Sequence, residues 1–381
     1  VKHQGKPVLL HVVTQKGKGH PDAETDPYGL HKHVERTVPS EAKLEPEGKE
    51  PPIASKSYTR AFVDALTDLS EEDPKIVAIT AAMPDGTGLV EYAEKFPDRV
   101  YDVGISEQCA VGFAAGLAHS GLRPVCAIYS SFSQRAYDIV FQEMCLNNLP
   151  VTLVLDRAGI AGEDGPTHHG NFDVAFLRTL PNITVMAPGN EQDLREMLKL
   201  ATRASGPTAI RLPREKTPRF EGLPRTPVEI GKGEILREGK DGAILAYGVM
   251  VARAMDAAEM LKKEGVDVTV ANARFAKPLD TALATRLVQD HPWVLTVEDH
   301  SYQGGFGSAV LEELALRNED TRKIHLHAIP DRFLQHADRE ELVHYLHLDG
   351  EGIADVCRMI IAGEPAPQPN PEQRKHFFYE G

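Results

Sequence analysis

The chain has 381 residues, 41% of them hydrophobic, and carries 42 basic against 56 acidic side chains, a formal charge of −14. That length holds two domains with sizeable cores, and the acidic balance argues against a nucleic-acid surface or a polybasic membrane anchor. Four cysteines (Cys109, Cys126, Cys145, Cys357) show neither CxxC spacing nor a disulfide framework; with no apolar run near the ~18 residues of a membrane span and no signal-peptide pattern, a cytoplasmic setting is the simplest fit.

In chain order, Val8 to Val13 reads as a strand with no sheet to join, followed by a polar, Pro-containing stretch. Residues 1–50 are therefore expected to be a remnant or linker from a domain the sequence does not contain. From Ser55 the pattern becomes regular. "SKSYTRAFVDALTDLS" has helical spacing, with Ala61, Phe62, Ala65, Leu66 and Leu69 on one face. The runs "KIVAITAAM", "RVYDVGI", "RPVCAIYS", "VTLVLDR", "NITVMAP" and "PTAIRLP" read as short strands, with helical segments such as "NEQDLREMLKLATRA" between them. This block spans 55–220. A Pro-, Gly- and charge-rich linker follows. A second alternating block, 240–363, contains "GAILAYG", "VDVTVANAR", "WVLTVED" and "KIHLHAI" with helices over 250–264, 280–290 and 305–317. The Pro-rich tail, 364–381, reads as extended or disordered. The fold class is α/β: two doubly wound domains with mainly parallel sheets.

In open α/β sheets the functional loops follow the strand C-termini. One edge of the first sheet collects Glu107, Tyr129, Phe132, Arg135, Arg157, Asp164, His168, His169 and Arg214. Each has an ordinary reading of its own. Glu107 favours a helix N-terminus behind an N-capping Ser106, Asp164-Gly165 marks a turn, the aromatics belong in a core and the arginines in ion pairs. Their convergence on one edge favours a site.

The strings "ITAAMPDGTGL", "YDVGISEQCAVGFAAGLA", "IYSSFSQRAYDIVFQE", "LVLDRAGIAGEDGPTHHGNFDVAFLRTLPN" and "AIRLPRE" resemble the 1-deoxy-D-xylulose-5-phosphate synthases, thiamine-diphosphate-dependent relatives of transketolase. The resemblance runs in order from about residue 8 to 362. It implies a pyrimidine-binding domain followed by a transketolase C-terminal domain, and decarboxylation of pyruvate with condensation onto D-glyceraldehyde 3-phosphate, in a homodimer. By position, Glu107 donates a hydrogen bond to N1′ of the cofactor's aminopyrimidine, in a dry pocket made possible by small residues behind it. Phe132 stacks on that ring, with Tyr129 and Ile105 nearby. His168, supported by Asp164, handles substrate protons. Arg157 and Arg214 clamp the substrate phosphate, with Tyr129 and Arg135 as second contacts. His31 (catalytic) and Lys16 (cofactor-binding) reach back over the site.

Two departures stand out. The family usually reads Gly-Ile-Ala-Glu-Gln-His where this chain has "GISEQC", placing Ser106 and Cys109 at the Ala and His positions. The family binds Mg²⁺ and diphosphate with a Gly-Asp-Gly stretch that this sequence lacks, so no metal ligand is expected in this chain, and its activity alone is expected to be low. Two other readings are a β-type subunit of a 2-oxo-acid dehydrogenase E1 and a non-catalytic dimerisation or regulatory fragment.

Overall fold

The computed structural model describes residues 8–14, 18–19, 56–218, 220, 226–364 and 377–378. Val1–Ala54 and Ser55–Gly381 form separate compact units. In the first, the strand expected over Val8 to Val13 is not formed: these residues have no strand pairing, and Leu9 is 94% exposed. A strand gains its backbone hydrogen bonds only from a neighbour, and here they have none.

The second unit is built on two sheets. The first takes strands β1 (Ile76–Thr80), β2 (Val100–Asp102), β3 (Arg123–Tyr129), β4 (Thr152–Asp156), β5 (Thr184–Met186) and β6 (Thr208–Leu212). The second takes β7 (Glu234–Arg237), β8 (Gly242–Ala246), β9 (Val268–Asn272), β11 (Val294–Ser301) and β12 (Ile324–Ile329). Between β9 and β11 the chain leaves the second sheet, and β10 (Phe275–Lys277) pairs antiparallel with β5 at the edge of the first. The spatial orders are β10-β5-β6-β4-β3-β1-β2 and β12-β11-β8-β9-β7. All pairings are parallel except β10 with β5 and β7 with β9. β1, β4, β6, β8 and β9 are buried along their whole length, as expected of parallel strands covered on both faces.

The helices form where the apolar spacing puts them. Tyr58–Glu72 begins at Ser57, whose hydroxyl accepts from the Arg60 N–H, and buries the face predicted from sequence. Strands β7 and β10 and the helices Asp173–Arg178, Arg339–Tyr345 and Gly350–Ala362 are not among the elements read from the sequence. β10 is three residues long, below the length at which alternation is readable.

Two buried guanidinium groups fasten the sheets together. Arg211 on β6 makes two hydrogen bonds to Asp173 (3.0 and 2.9 Å) and reaches Asp299 at the end of β11 at 3.4 Å. Arg274, just past β9, lies 3.3 Å from Asp193 and 2.9 Å from Glu234. Of the Pro-rich tail, Phe378 is 2% exposed and bridges to Leu334, while Phe377 stacks on Tyr345 with ring centroids 4.3 Å apart.

Candidate active site

Strand order in the first sheet reverses between β1 and β3, so the loops after these two strands diverge and leave a crevice at their C-terminal ends. The predicted side chains of the first block follow the ends of β2, β3, β4 and β6, on this side of the sheet. Asp102, at the end of β2, holds the crevice's floor. Its carboxylate accepts from Ala82 N (2.8 Å) after β1 and from Gly104 N (2.9 Å) in the turn that leads to Glu107. Gly104 has φ +74°, a left-handed turn that glycine adopts without strain.

The helix Glu107–His119 then begins. Its buried face is Glu107, Ala110, Val111, Ala114, Ala115 and Ala118, a helical repeat in which only the first member is polar. Ser106 occupies the N-cap position, but its side chain makes no capping bond. Nor do the glycines of this helix serve close packing: a Cβ on Gly112 would meet only the Ile139 side chain at 3.7 Å, and one on Gly116 would meet nothing. The close contact comes from the alanines. Glu107 is 3% exposed, and its Oε2 is buried without a hydrogen-bond partner. The nearest cation is Arg135, whose Nε stands 3.5 Å away. Arg135 is thus placed beside the acid. Ile105, in contrast, is 77% exposed.

At the end of β3, Tyr129 and Phe132 stack with centroids 5.4 Å apart, and the His168 ring meets Phe132 edge-on at 5.1 Å and Tyr129 at 6.4 Å. Tyr129 is buried, which pushes its hydroxyl pKa up. Its hydroxyl sits where Gly86 would carry a Cβ, only 2.1 Å from that position, so the "PDGTG" loop closes on the tyrosine. Arg157 follows β4 in a left-handed conformation (φ 58°), uncommon for a residue with a side chain. Its guanidinium lies over the Tyr129 ring at 4.6 Å, donates to Gly86 O (2.8 Å) and Asp156 (2.9 Å), and leaves Nε buried without a hydrogen-bond partner.

The segment 159–170 is a loop closed at its neck. Gly159 and Gly170 exchange backbone hydrogen bonds at 2.9 and 2.8 Å. Arg211 donates to Gly170 O at 3.3 Å, and Ser301 N donates to Asn171 O at 3.0 Å. Inside the loop His169 is buried. Its Nδ1 accepts from Ala161 N (3.0 Å) and its Nε2 lies 3.2 Å from Gln335 O. Burial lowers its pKa, and both ring nitrogens are spent on main chain. His168 is half-buried with Nδ1 2.9 Å from Thr167 Oγ1, its ring turned to the aromatic pair. Of the adjacent histidines, one pins the loop and the other faces the crevice. Arg214, after β6, donates to Ala161 O (3.1 Å) and to Asp164 (3.0 Å).

The crevice thus gathers an unpartnered buried carboxyl oxygen, an unpartnered guanidinium N–H, an aromatic wall and an imidazole. Such a set can hold a planar nitrogen heterocycle at the acid and an oxyanion at the arginines, with a base against the aromatic wall. His31 and Lys16 lie outside the described residues. Among the described residues, no cluster of three or more His, Cys, Asp or Glu side chains is arranged to hold a metal ion, and no helix is long and apolar enough to cross a membrane. Sequence reading did not single out Asp102, Gly86 or the C-terminal residues that hold the loop. The first two carry a local signal, an acid two residues before a glycine and a Gly-rich turn after a strand; the last have none.

Residues 54–219 match the transketolase pyrimidine binding domain and residues 231–353 the transketolase C-terminal domain. The chain is 49% identical over 366 residues to 1-deoxy-D-xylulose-5-phosphate synthase 1 of Geobacter sulfurreducens, covering 95% of this chain and 56% of that protein. It is 47% identical to the 1-deoxy-D-xylulose-5-phosphate synthase of Aquifex aeolicus, covering 95% and 57%. It therefore spans about half the length of the curated relatives it matches. Among solved structures, a chain described as "Split gene transketolase, inactive beta4 tetramer" superposes with TM-score 0.73 and 31% identity, over 82% of this chain and all of that one. Transketolase from Pichia stipitis superposes with TM-score 0.67 at 21% identity, over 84% and 48%, a likeness of fold.

Proposed function

Because the chain belongs to the transketolase family, we propose that it is the pyrimidine-side half of a 1-deoxy-D-xylulose-5-phosphate synthase. The reaction joins pyruvate, with loss of CO₂, to D-glyceraldehyde 3-phosphate. The observation that carries this reading is Glu107: a buried carboxyl group on the alanine-rich face of its helix, with one oxygen that makes no hydrogen bond and only a 3.5 Å ion pair to Arg135. Burying such an oxygen unpaired is costly, and a ring nitrogen that shares a proton with it removes the cost. Thiamine diphosphate, when bound, supplies the electron sink that neither substrate has.

The chain's own residues then have defined tasks. Glu107 would hydrogen-bond N1′ of the aminopyrimidine, with Arg135 3.5 Å from the same carboxyl group. Phe132 and Tyr129 cover the pyrimidine and exclude water. His168, on the crevice side of its loop, moves a proton at the substrate carbonyl oxygen as the new carbon–carbon bond forms. Arg157 and Arg214 hold the triose phosphate, the first through its unpartnered Nε and the second beside Asp164. Ile105, which is exposed, would lie against the cofactor. Mg²⁺ and the diphosphate are assigned to residues beyond this sequence, because the family's Gly-Asp-Gly anchor is absent from it. Alone, the chain is expected to be inactive, as the split-gene transketolase chain is described to be. A second copy is expected to cover the apolar side chains exposed on the Glu107 helix and the helical segment beside it, Phe113, Phe141 and Leu146. Four free cysteines fit a reducing cytoplasm.

The test is product formation from pyruvate and glyceraldehyde 3-phosphate after a polypeptide carrying the Gly-Asp-Gly segment is added. Calorimetry of the 381-residue chain with thiamine diphosphate and Mg²⁺ is expected to show no binding. Tight binding by the chain alone contradicts the division of the site, and absence of product from the assembled pair contradicts the reaction.

A further inference from the structure

We propose that Arg339, in the C-terminal domain and outside the crevice, is a positioning residue that sets the spacing between the two segments gripping the substrate phosphate. This rests on the reading of Arg214 as a phosphate clamp.

Arg339 opens the helix Arg339–Tyr345 and is almost fully buried, with 9% of its surface exposed. Its Nε donates to Ile160 O at 3.1 Å. Its Nη2 stands 2.9 Å from Glu215 Oε2, and its Nη1 bonds Glu340 at 3.1 Å. Ile160 and Glu215 are each next in sequence to a residue of the phosphate end. The carbonyl after Ile160's, that of Ala161, accepts from Arg214 at 3.1 Å, and Arg214 directly precedes Glu215. Through a hydrogen bond to Ile160 O and an ion pair to Glu215 that lacks hydrogen-bond geometry, one guanidinium therefore joins the loop that carries Asp164 and His168 to the strand end that carries Arg214.

The loop is shaped to receive it. Gly162 has φ +85°, and a Cβ there would come 3.2 Å from Arg339 Cβ. Gly165, at φ +75°, is seated the same way on His336. Arg253 adds a second guanidinium to Glu215 at 2.9 Å, so the acid beside Arg214 is held from two directions. A planar guanidinium with donors at fixed angles transmits position; an ammonium on a flexible stem supplies charge alone.

The experiment titrates the 381-residue chain with glycerol 3-phosphate, a stable carbonyl-free analogue of a triose phosphate, by ³¹P NMR, alongside thermal unfolding. Arg339→Ala is expected to weaken binding about tenfold. Arg339→Lys is expected to recover most of the unfolding temperature without recovering affinity, because charge returns and the fork does not. Glu215→Gln, which keeps the shape of the acid, is expected to weaken binding about threefold and keeps the test intact if Arg339→Ala does not fold. Wild-type affinity in Arg339→Lys and Glu215→Gln, with only the unfolding temperature changed, overturns the proposal. If the wild-type chain itself fails to bind glycerol 3-phosphate, the phosphate-clamp reading of Arg214 fails first and the positioning role falls with it.

Discussion

The two sheets of this protein reverse strand order in the same way and use the resulting crevice in opposite ways. In the first sheet the reversal lies between β1 and β3, and in the second between β8 and β11. Both crevices keep buried polar atoms without hydrogen-bond partners, Glu107 Oε2 and Arg157 Nε at the first and Tyr247 Oη and Asp299 Oδ2 at the second; what differs is what occupies the space. The second is filled by the first domain. Arg211 lies 5.8 Å from the centre of the Tyr247 ring, just past β8, and 3.4 Å from Asp299 on β11. Beside it Glu298 accepts the N–H groups of Phe306 and Gly307 (2.6 and 2.8 Å), and the His300 Nδ1 faces Ser301 O at 2.7 Å. The run Glu298-Asp299-His300 has richer acid–base chemistry than any three successive residues around the first crevice, yet it is buried against its neighbours. Chemical potential in a sequence marks a site only where the fold leaves room beside it; Asp299 keeps an oxygen without a hydrogen-bond partner and is still packed against the first domain.

Exchanging the roles of the two crevices is the strongest way to break this contrast. Glu107→Gln is expected to lower the rate of the assembled enzyme by 10² to 10⁴, the range for removing a positioned proton donor or acceptor, while the chain's unfolding midpoint changes little. Asp299→Ala should do the reverse. Leaving Arg211 with one carboxylate fewer in a dry setting is expected to cost about 3 kcal/mol of stability, read by denaturant unfolding. A larger activity loss in Asp299→Ala than in Glu107→Gln would invert the assignment.

The second crevice also predicts a pH response. Burial presses the pKa of His300 down to about 4, below its unfolded value of about 6.5. Its contribution to stability is therefore complete above pH ~6.5 and is lost as pH falls towards 4, by up to about 3 kcal/mol. Burial raises Glu298 to about 7 and Asp299 to about 6. These acids act in the opposite sense: their contribution is complete below pH ~4 and is lost as pH rises through 6 to 7. His300→Asn should flatten the acid limb of the stability profile and leave the neutral limb in place. An unchanged acid limb would show that His300 is not the group that titrates.

A smaller effect is expected at the clamp. Arg157→Lys keeps the charge but loses the fork, and the apparent KM for glyceraldehyde 3-phosphate in the assembled enzyme should rise about tenfold with little change for pyruvate. The smallest is expected at Cys109, which is exposed and directed away from the Glu107 pocket. Cys109→His restores the residue usual in the family, and stability should stay within about 0.5 kcal/mol. A large rate change there would mean that the exposed face of this helix takes part in the chemistry.

Much of this was legible from residue patterns. The long β-branched runs and the helical face of Tyr58–Glu72 are strong local signals, and the motif strings located Glu107, Tyr129, Phe132, Arg157, His168 and Arg214 beside one crevice. What was not legible is relational. The pairing of β10 with β5 depends on a chain reversal between domains that three residues cannot encode. The roles of His168 and His169 are set by which ring meets Gln335 O, a contact 166 residues distant in sequence. Arg339 shows no motif, since its importance lies in carbonyls and carboxylates from another domain. Val8 to Val13 misled because its apolar character gave a strand pattern where, among the described residues, no strand pairs with it.

The central claim is that Glu107 acts through a proton shared with the coenzyme's pyrimidine. NMR measurement of hydrogen–deuterium exchange at C2 of thiamine diphosphate tests it most directly, in the assembled enzyme with and without Glu107→Gln and before any substrate is added. The account predicts exchange slowed at least 10²-fold with the coenzyme still bound. Exchange at the wild-type rate in the Glu107→Gln enzyme would contradict it.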